Sequence, residues 1–209
     1  MATTTPTQKR IAPWLAVLFA GVWLITAALG QRVILNYDYA AAAPGTPPEK
    51  WPIATKLPRT PGLSSIVIVA HPRCPCTRAT VEELARLMAV LQNRATATVV
   101  FVRPRGFSED WEKTDLWQDA ALIPGVSVLS DANGAEATLF GAQASGQTML
   151  YDAAGNLRFS GGITASRGHA GDSLGRSAIL SIVNTGNSVT SHTSVYGCSL
   201  HNPERAVRE

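Results

Sequence analysis

The chain has 209 residues, 45% of them hydrophobic and 16% charged, with 18 Lys and Arg against 15 Asp and Glu. That length suits one globular domain plus an appendage. A net charge of +3, with no stretch that interleaves basic and aromatic residues, argues against a nucleic-acid partner.

The first segment stands apart. Lys9 and Arg10 precede Ile11 to Gly30, a run without a charge. About twenty such residues suffice to cross a bilayer as a helix. Positive charge ahead of the run predicts a cytoplasmic N-terminus. Residues 1–31 therefore read as a cytoplasmic end and a single transmembrane anchor in the cell inner membrane, with the remainder in the periplasm. A cleaved signal peptide is the alternative, with Ala28-Leu29-Gly30 or the Ala40 to Ala43 run as the processing site. Trp14, Trp23 and the length of the run favour the anchor. Either way the folded part lies where disulfides persist.

Residues 32–62 are rich in Pro and Ala. Pro44, Pro47, Pro48, Pro52, Pro58 and Pro61 exclude a long regular element and predict a linker. A regular pattern then starts, and residues 63–184 read as one domain. Ser65 to Ala70 is a continuous apolar run of strand length, as in a buried parallel strand. Arg78 to Asn93 places Val81, Leu84, Leu87, Met88 and Leu91 at helical spacing. Thr96 to Val102 is a second buried strand. Ser108 to Leu122 predicts a helix capped by Ser108, with Asp110 in its first turn. Val126 to Leu129 is a short strand, and Ala132 to Phe140 a short helix or turn. Thr148 to Tyr151 and Leu157 to Ser160 predict a hairpin around Asp152-Ala153-Ala154-Gly155-Asn156. Gly171 to Val183 closes as a helix capped by Asp172 or Ser173. Residues 185–209 are polar and predict an extended tail. Alternating strands and helices followed by a hairpin imply an α/β fold with a central mixed sheet flanked by helices.

The chemistry concentrates in His71-Pro72-Arg73-Cys74-Pro75-Cys76. Two cysteines one residue apart follow a strand and open a helix. Unpaired N–H groups and the helix dipole stabilise a thiolate there. A thiolate attacks disulfides and binds soft metals. Arg73, adjacent to the pair, is placed to lower the thiolate pKa further.

That element order, with cysteines at the first domain helix, resembles the thioredoxin-like fold, and within it the membrane-tethered TlpA/ResA-like branch. The cysteine run, together with Gly161-Gly162-Ile163-Thr164 and Ser166-Arg167-Gly168-His169, is similar to the RedB proteins. The resemblance covers residues 64–183. It implies Cys74 as the attacking thiol, Cys76 as the resolving thiol, a redox-active disulfide in place of a cofactor, and protein thiols or disulfides outside the cytoplasm as partners. Two departures matter. Thioredoxin-like proteins carry Cys-x-x-Cys, and a one-residue spacing closes a smaller, strained ring. They also carry a cis-proline before the strand that corresponds to Thr148–Tyr151, where this chain has Ser145-Gly146-Gln147. That proline shapes the substrate groove and blocks metal binding in the family.

Other residues leave alternatives open. His71 reads as a proton shuttle, a third metal ligand or a solvated strand end. A His71, Cys74, Cys76 set would suit copper(I), as in the Sco-type copper proteins that serve respiratory complexes. Cys198 is the odd thiol, open to pairing with the Cys74/Cys76 site, with another chain, or with a metal shared with His201. The glycine-rich run with Arg167, His169 and Asp172 reads most simply as a loop. Trp111 and Trp117 read as packing residues. Ser145 and Ser166 lack a nucleophile-elbow context, and no dinucleotide or phosphate-loop spacing is present. A non-enzymatic accessory subunit of a membrane complex is the remaining class.

Overall fold

The computed structural model describes residues 13–200. Lys9, Arg10 and His201 lie outside the described residues. The chain divides into two units, Met1–Asp38 and Tyr39–Glu209. In the first, one helix, α1 (Pro13–Asp38), runs for 26 residues with no buried residue. At 1.5 Å per residue this is about 39 Å, longer than a bilayer core. It continues past Gly30, the expected end, because Gln31 to Asp38 contains no proline or glycine to stop it.

The second unit is a five-stranded mixed sheet with helices on both faces, the thioredoxin-like arrangement. Its strands are β1 (Ser64–Ala70), β2 (Ala95–Arg103), β3 (Val126–Ala132), β4 (Gln147–Tyr151) and β5 (Leu157–Gly161), in the order β3-β2-β1-β4-β5. β1 pairs in parallel with β2 and antiparallel with β4; β3 is parallel to β2 and β5 antiparallel to β4. The helices are α2 (Pro75–Leu91), α3 (Asp115–Ala121), α4 (Ala135–Leu139) and α5 (Leu174–Thr185). β1 therefore lies in the middle of the sheet and delivers the chain directly into α2.

Period-two alternation splits the core. Ile66, Ile68, Ala70, Val99 and Phe101 face α2, α3 and α5, meeting Leu84, Leu87, Leu116 and Ile179. A buried carboxylate ties this layer together: Glu83 on α2 pairs with Arg176 of α5 at 3.3 Å and accepts the Gly171 amide at 2.7 Å. Val67, Val69, Val100 and Val102 face the other way, onto Ala137, Phe140, Met149 and Tyr151.

That second face explains two departures from the sequence expectations, at the entry and exit segments. α4 has five residues and cannot cover it alone. The segment expected as a linker completes the cover: Leu57 is buried in this layer, and Trp51 meets the rings of Phe140 and Tyr151 edge-on, each at 5.2 Å. The segment expected as a tail docks as well. Its Leu200 joins the same layer, and Val195 is 1% exposed. Both segments also pair with the open edge of β5. The Leu157 amide donates to Glu49 at 2.7 Å, and the Ser160 amide to Ser191 at 2.9 Å. An edge strand left bare exposes unpaired backbone groups, so this cover is part of the fold. Residues 39–62 and 185–200 thus belong to the folded unit.

A third departure is α3, which starts at Asp115 after an N-cap at Thr114, not at Ser108. Two contacts hold the preceding turns. Trp111 packs against Phe107 and edge-on against His71, and Glu112 is buried against Ser130 and Arg103. α5 agrees with one of its two expected caps: the Ser173 hydroxyl accepts the Arg176 amide at 3.2 Å.

Leu57→Ala removes a buried side chain from the second layer. It is expected to cost about 2–5 kcal/mol, read as a lowered urea midpoint for the purified protein; an unchanged midpoint would place Leu57 outside the core.

Candidate functional site

Cys74 is the N-cap of α2 and Pro75 its first residue, where a missing N–H costs nothing and φ is preset for the helix. The apolar run of β1 ends at Ala70, and Cys74 N–H donates to the His71 carbonyl at 3.1 Å, closing the turn that presents the thiol. Cys74 is 3% exposed and Cys76 5% exposed. The sulfur of Cys74 meets a third thiol from far along the chain: Cys198 Sγ lies 2.9 Å away, in hydrogen-bond contact.

The docked C-terminal segment makes that meeting. The Ser145 amide donates to the Cys198 carbonyl at 2.8 Å, and the Leu200 amide donates to the Gln143 carbonyl at 2.9 Å. Ala144 and Ser199 form an antiparallel bridge. Gly197 makes the approach feasible, since a Cβ there would lie 1.8 Å from the Ser145 carbonyl oxygen. Arg167 clamps the segment from outside, donating to the carbonyls of Gly197 at 3.3 Å and Ala40 at 3.0 Å. A cleft of about 310 Å³ lined by Gln143, Arg167, Gly197 and Cys198 opens beside this contact.

Electrostatics follow from these contacts. The hydrogen bond from Cys198 holds the Cys74 thiol far below its ordinary value of 9.0, at about 4. Burial opposes this, and the hydroxyl and amide of Thr77 assist it. The Cys198 thiol is pushed up, because its proton is shared with Cys74. Cys76 is also pushed up, by burial and by the Cys74 charge, with Arg167 acting against both. Of the three thiols, only Cys74 is pushed below its ordinary range.

Arg73 sits elsewhere. Its guanidinium lies over the Trp111 ring, 4.8 Å from the centroid, so the cation that interacts with the thiols is Arg167. His71 turns its edge to the same indole at 5.6 Å, and its Nδ1 accepts the Arg73 amide at 3.2 Å. Burial pushes its pKa down, with the Cys74 charge acting against it. Among the described residues, the His71, Cys74, Cys76 set does not come together as a group that could hold a metal, and no other three His, Cys, Asp or Glu side chains do.

The loop Ser145-Gly146-Gln147, marked in the sequence by its missing proline, brings two residues to the site. Ser145 Oγ accepts the His71 amide at 2.7 Å and lies 2.6 Å from Thr77 Oγ1, locking the β4 approach to the start of α2. Gly146 adopts φ +86° beside Thr80, a conformation that favours glycine.

No protein-family model and no curated protein matches the chain. Solved structures do. A hypothetical protein from Sinorhizobium meliloti aligns at 21% identity and TM-score 0.55, over 66% of this chain and 79% of its own. An uncharacterized conserved protein from Geobacillus kaustophilus aligns at 17% identity and TM-score 0.57, over 78% of this chain and 92% of its own. A secreted disulfide oxidoreductase from Mycobacterium tuberculosis aligns at 15% identity and TM-score 0.42, over 59% and 81%. At these identities the likeness bears on the fold.

If Cys74 is the thiolate, its alkylation rate by iodoacetamide stays flat from pH 8 to about 5 and falls as pH drops through about 4. Cys198→Ala removes the main stabilising hydrogen bond and is expected to move that midpoint upward. A wild-type midpoint near 9 would remove the assignment.

Proposed function

We propose that the chain is a membrane-anchored, extracytoplasmic thiol–disulfide oxidoreductase in which Cys74 is the attacking thiol. The observation that carries this reading is the Cys74 sulfur at the N-terminus of α2, hydrogen-bonded to a second thiol at 2.9 Å. A thiolate so placed is the attacking species of disulfide exchange, and a neighbouring thiol is what completes it. The thioredoxin-like sheet supports the reading, because it is the frame on which such pairs occur in the TlpA/ResA-like branch. The run Gly161-Gly162-Ile163-Thr164, shared in pattern with the RedB proteins, lies against the C-terminal segment, with Thr193 Oγ1 donating to the Gly162 carbonyl at 2.7 Å.

The chemistry needs no bound cofactor. The Cys74 thiolate attacks one sulfur of a partner disulfide, forming a mixed disulfide and releasing the other sulfur as a thiolate. A second thiol of this chain then attacks Cys74 Sγ and releases the partner as a thiol. Two electrons have passed from the chain to the partner. The oxidised chain is reset by a reduced dithiol protein outside the cytoplasm. Helix α1, 26 residues long and apolar, would hold the domain at the membrane surface where such partners meet it.

Cys74→Ser is expected to reduce exchange with an insulin disulfide substrate to the uncatalysed rate while leaving the circular dichroism unchanged. Retention of wild-type exchange by that variant would sink the reading.

A further inference from the structure

We propose that Cys198 is the resolving thiol of Cys74, so that the working dithiol is Cys74–Cys198 and Cys76 stays outside the covalent cycle. This rests on the exchange reading above and names the residue that completes it.

The geometry separates the two choices. Cys74 is the N-cap of α2 and Cys76 its second residue. Cys76 also interacts with the Cys74 sulfur, so the choice between the two thiols rests on distance and on what each link would disturb. Pro75 between them has its φ fixed by its ring, and the first turn is closed by the Thr77 amide donating to the Cys74 carbonyl at 3.1 Å. A Cys74–Cys76 link would have to open that turn. Cys198 Sγ, by contrast, already lies 2.9 Å from Cys74 Sγ. Less than about 1 Å of approach brings the two to the bonded distance of about 2.05 Å.

Cys198 is also held there by structure on both sides. Val195 and Leu200 are buried at 1% and 8% exposure. Between them, the Cys198 carbonyl is tied to Ser145, the Gly197 carbonyl to Arg167, and Ser199 is bridged to Ala144. An intramolecular thiol fixed within contact of its target acts at an effective concentration far above any thiol free in solution. Cys198 is half-exposed beside the open cleft, so a departing partner has an exit that does not require α2 to unwind.

With oxidised glutathione as the probe, the steps balance as follows. The Cys74 thiolate attacks one glutathione sulfur; a Cys74–glutathione disulfide forms and one glutathione leaves as thiolate. Cys198 gives up its proton to that thiolate and attacks Cys74 Sγ. The Cys74–Cys198 bond forms and the second glutathione leaves. One disulfide has been reduced to two thiols and one dithiol oxidised to a disulfide.

The test uses the full chain in detergent, fully reduced, given one equivalent of oxidised glutathione, quenched in acid, alkylated and mapped by mass spectrometry over time. Wild type is expected to yield a Cys74–Cys198 link with Cys76 alkylated, and Cys76→Ser to yield the same link within a few-fold of the wild-type rate. Cys198→Ser is expected to accumulate the Cys74–glutathione adduct, with release slowed at least 10-fold. Gly197→Ala, which keeps all three thiols but sets a Cβ against the Ser145 carbonyl, is expected to accumulate the same adduct. A Cys74–Cys76 link in wild type, or glutathione release at the wild-type rate from Cys198→Ser or Gly197→Ala, overturns the pairing and leaves the exchange reading standing. Failure of Cys198→Ser to form any adduct at Cys74, with the fold intact, overturns the exchange reading and the pairing with it.

Discussion

The sheet has two apolar faces and the helices between its strands cover only one of them in full. α2, α3 and α5 lie on the face of Ile66, Ile68 and Phe101. The opposite face, with Val67, Val69, Val100 and Val102, has only the five-residue α4. Apolar surface left in water costs about 25 cal/mol per Å². The proline-rich entry segment and the polar exit segment therefore supply what the helices lack, through Trp51, Leu57 and Leu200. A backbone laid on a sheet edge must also satisfy its N–H and C=O groups. That is why both segments arrive with hydrogen bonds to β5 or to the loop before β4. The position of Cys198 is a consequence: it sits between a buried Val195 and a buried Leu200, and its own backbone is paired with Ser145.

A charged sulfur in a nearly closed site must be compensated, because burial opposes ionisation. Compensation at Cys74 comes from neutral donors: the Cys198 thiol first, then the hydroxyl and amide of Thr77 at the start of α2. The full cation nearby, Arg167, serves Cys76 and the carbonyls of Ala40 and Gly197 instead. Division of labour follows from this. The Cys74 thiol is pushed down, while those of Cys198 and Cys76 are pushed up. Ser145 links the layers of the site, since its hydroxyl holds His71 and Thr77 while its amide holds Cys198.

Much of this was legible before any coordinates. The strand at Ser65 to Ala70, the helix that carries Val81, Leu84, Leu87 and Leu91, and the hairpin around Asp152 to Asn156 are strong periodic or turn signals. Each reappears within a few residues of its expected bounds. The start of α3 was not legible. Ser108 offers a good cap, but Trp111 packs instead against Phe107 and edge-on against His71, contacts that are tertiary. Arg73 shows the same limit: adjacency in sequence placed it by the thiols, and an indole face claimed it.

Local physics reads directly from the residues: the apolar N-terminal helix, the strand and helix periods, and a cysteine at a helix N-terminus ahead of a proline-set first turn. Those depend on spacings of a few residues and on backbone rules that act within one element. Which thiol meets Cys74 depends on long-range packing. Cys74 and Cys198 are 124 positions apart in the chain. What joins them is the burial of Val195 and Leu200 and the pairing of residues 197–200 with 143–145. No period in a polar segment announces that docking, because its cause is the uncovered face of a sheet formed by other residues.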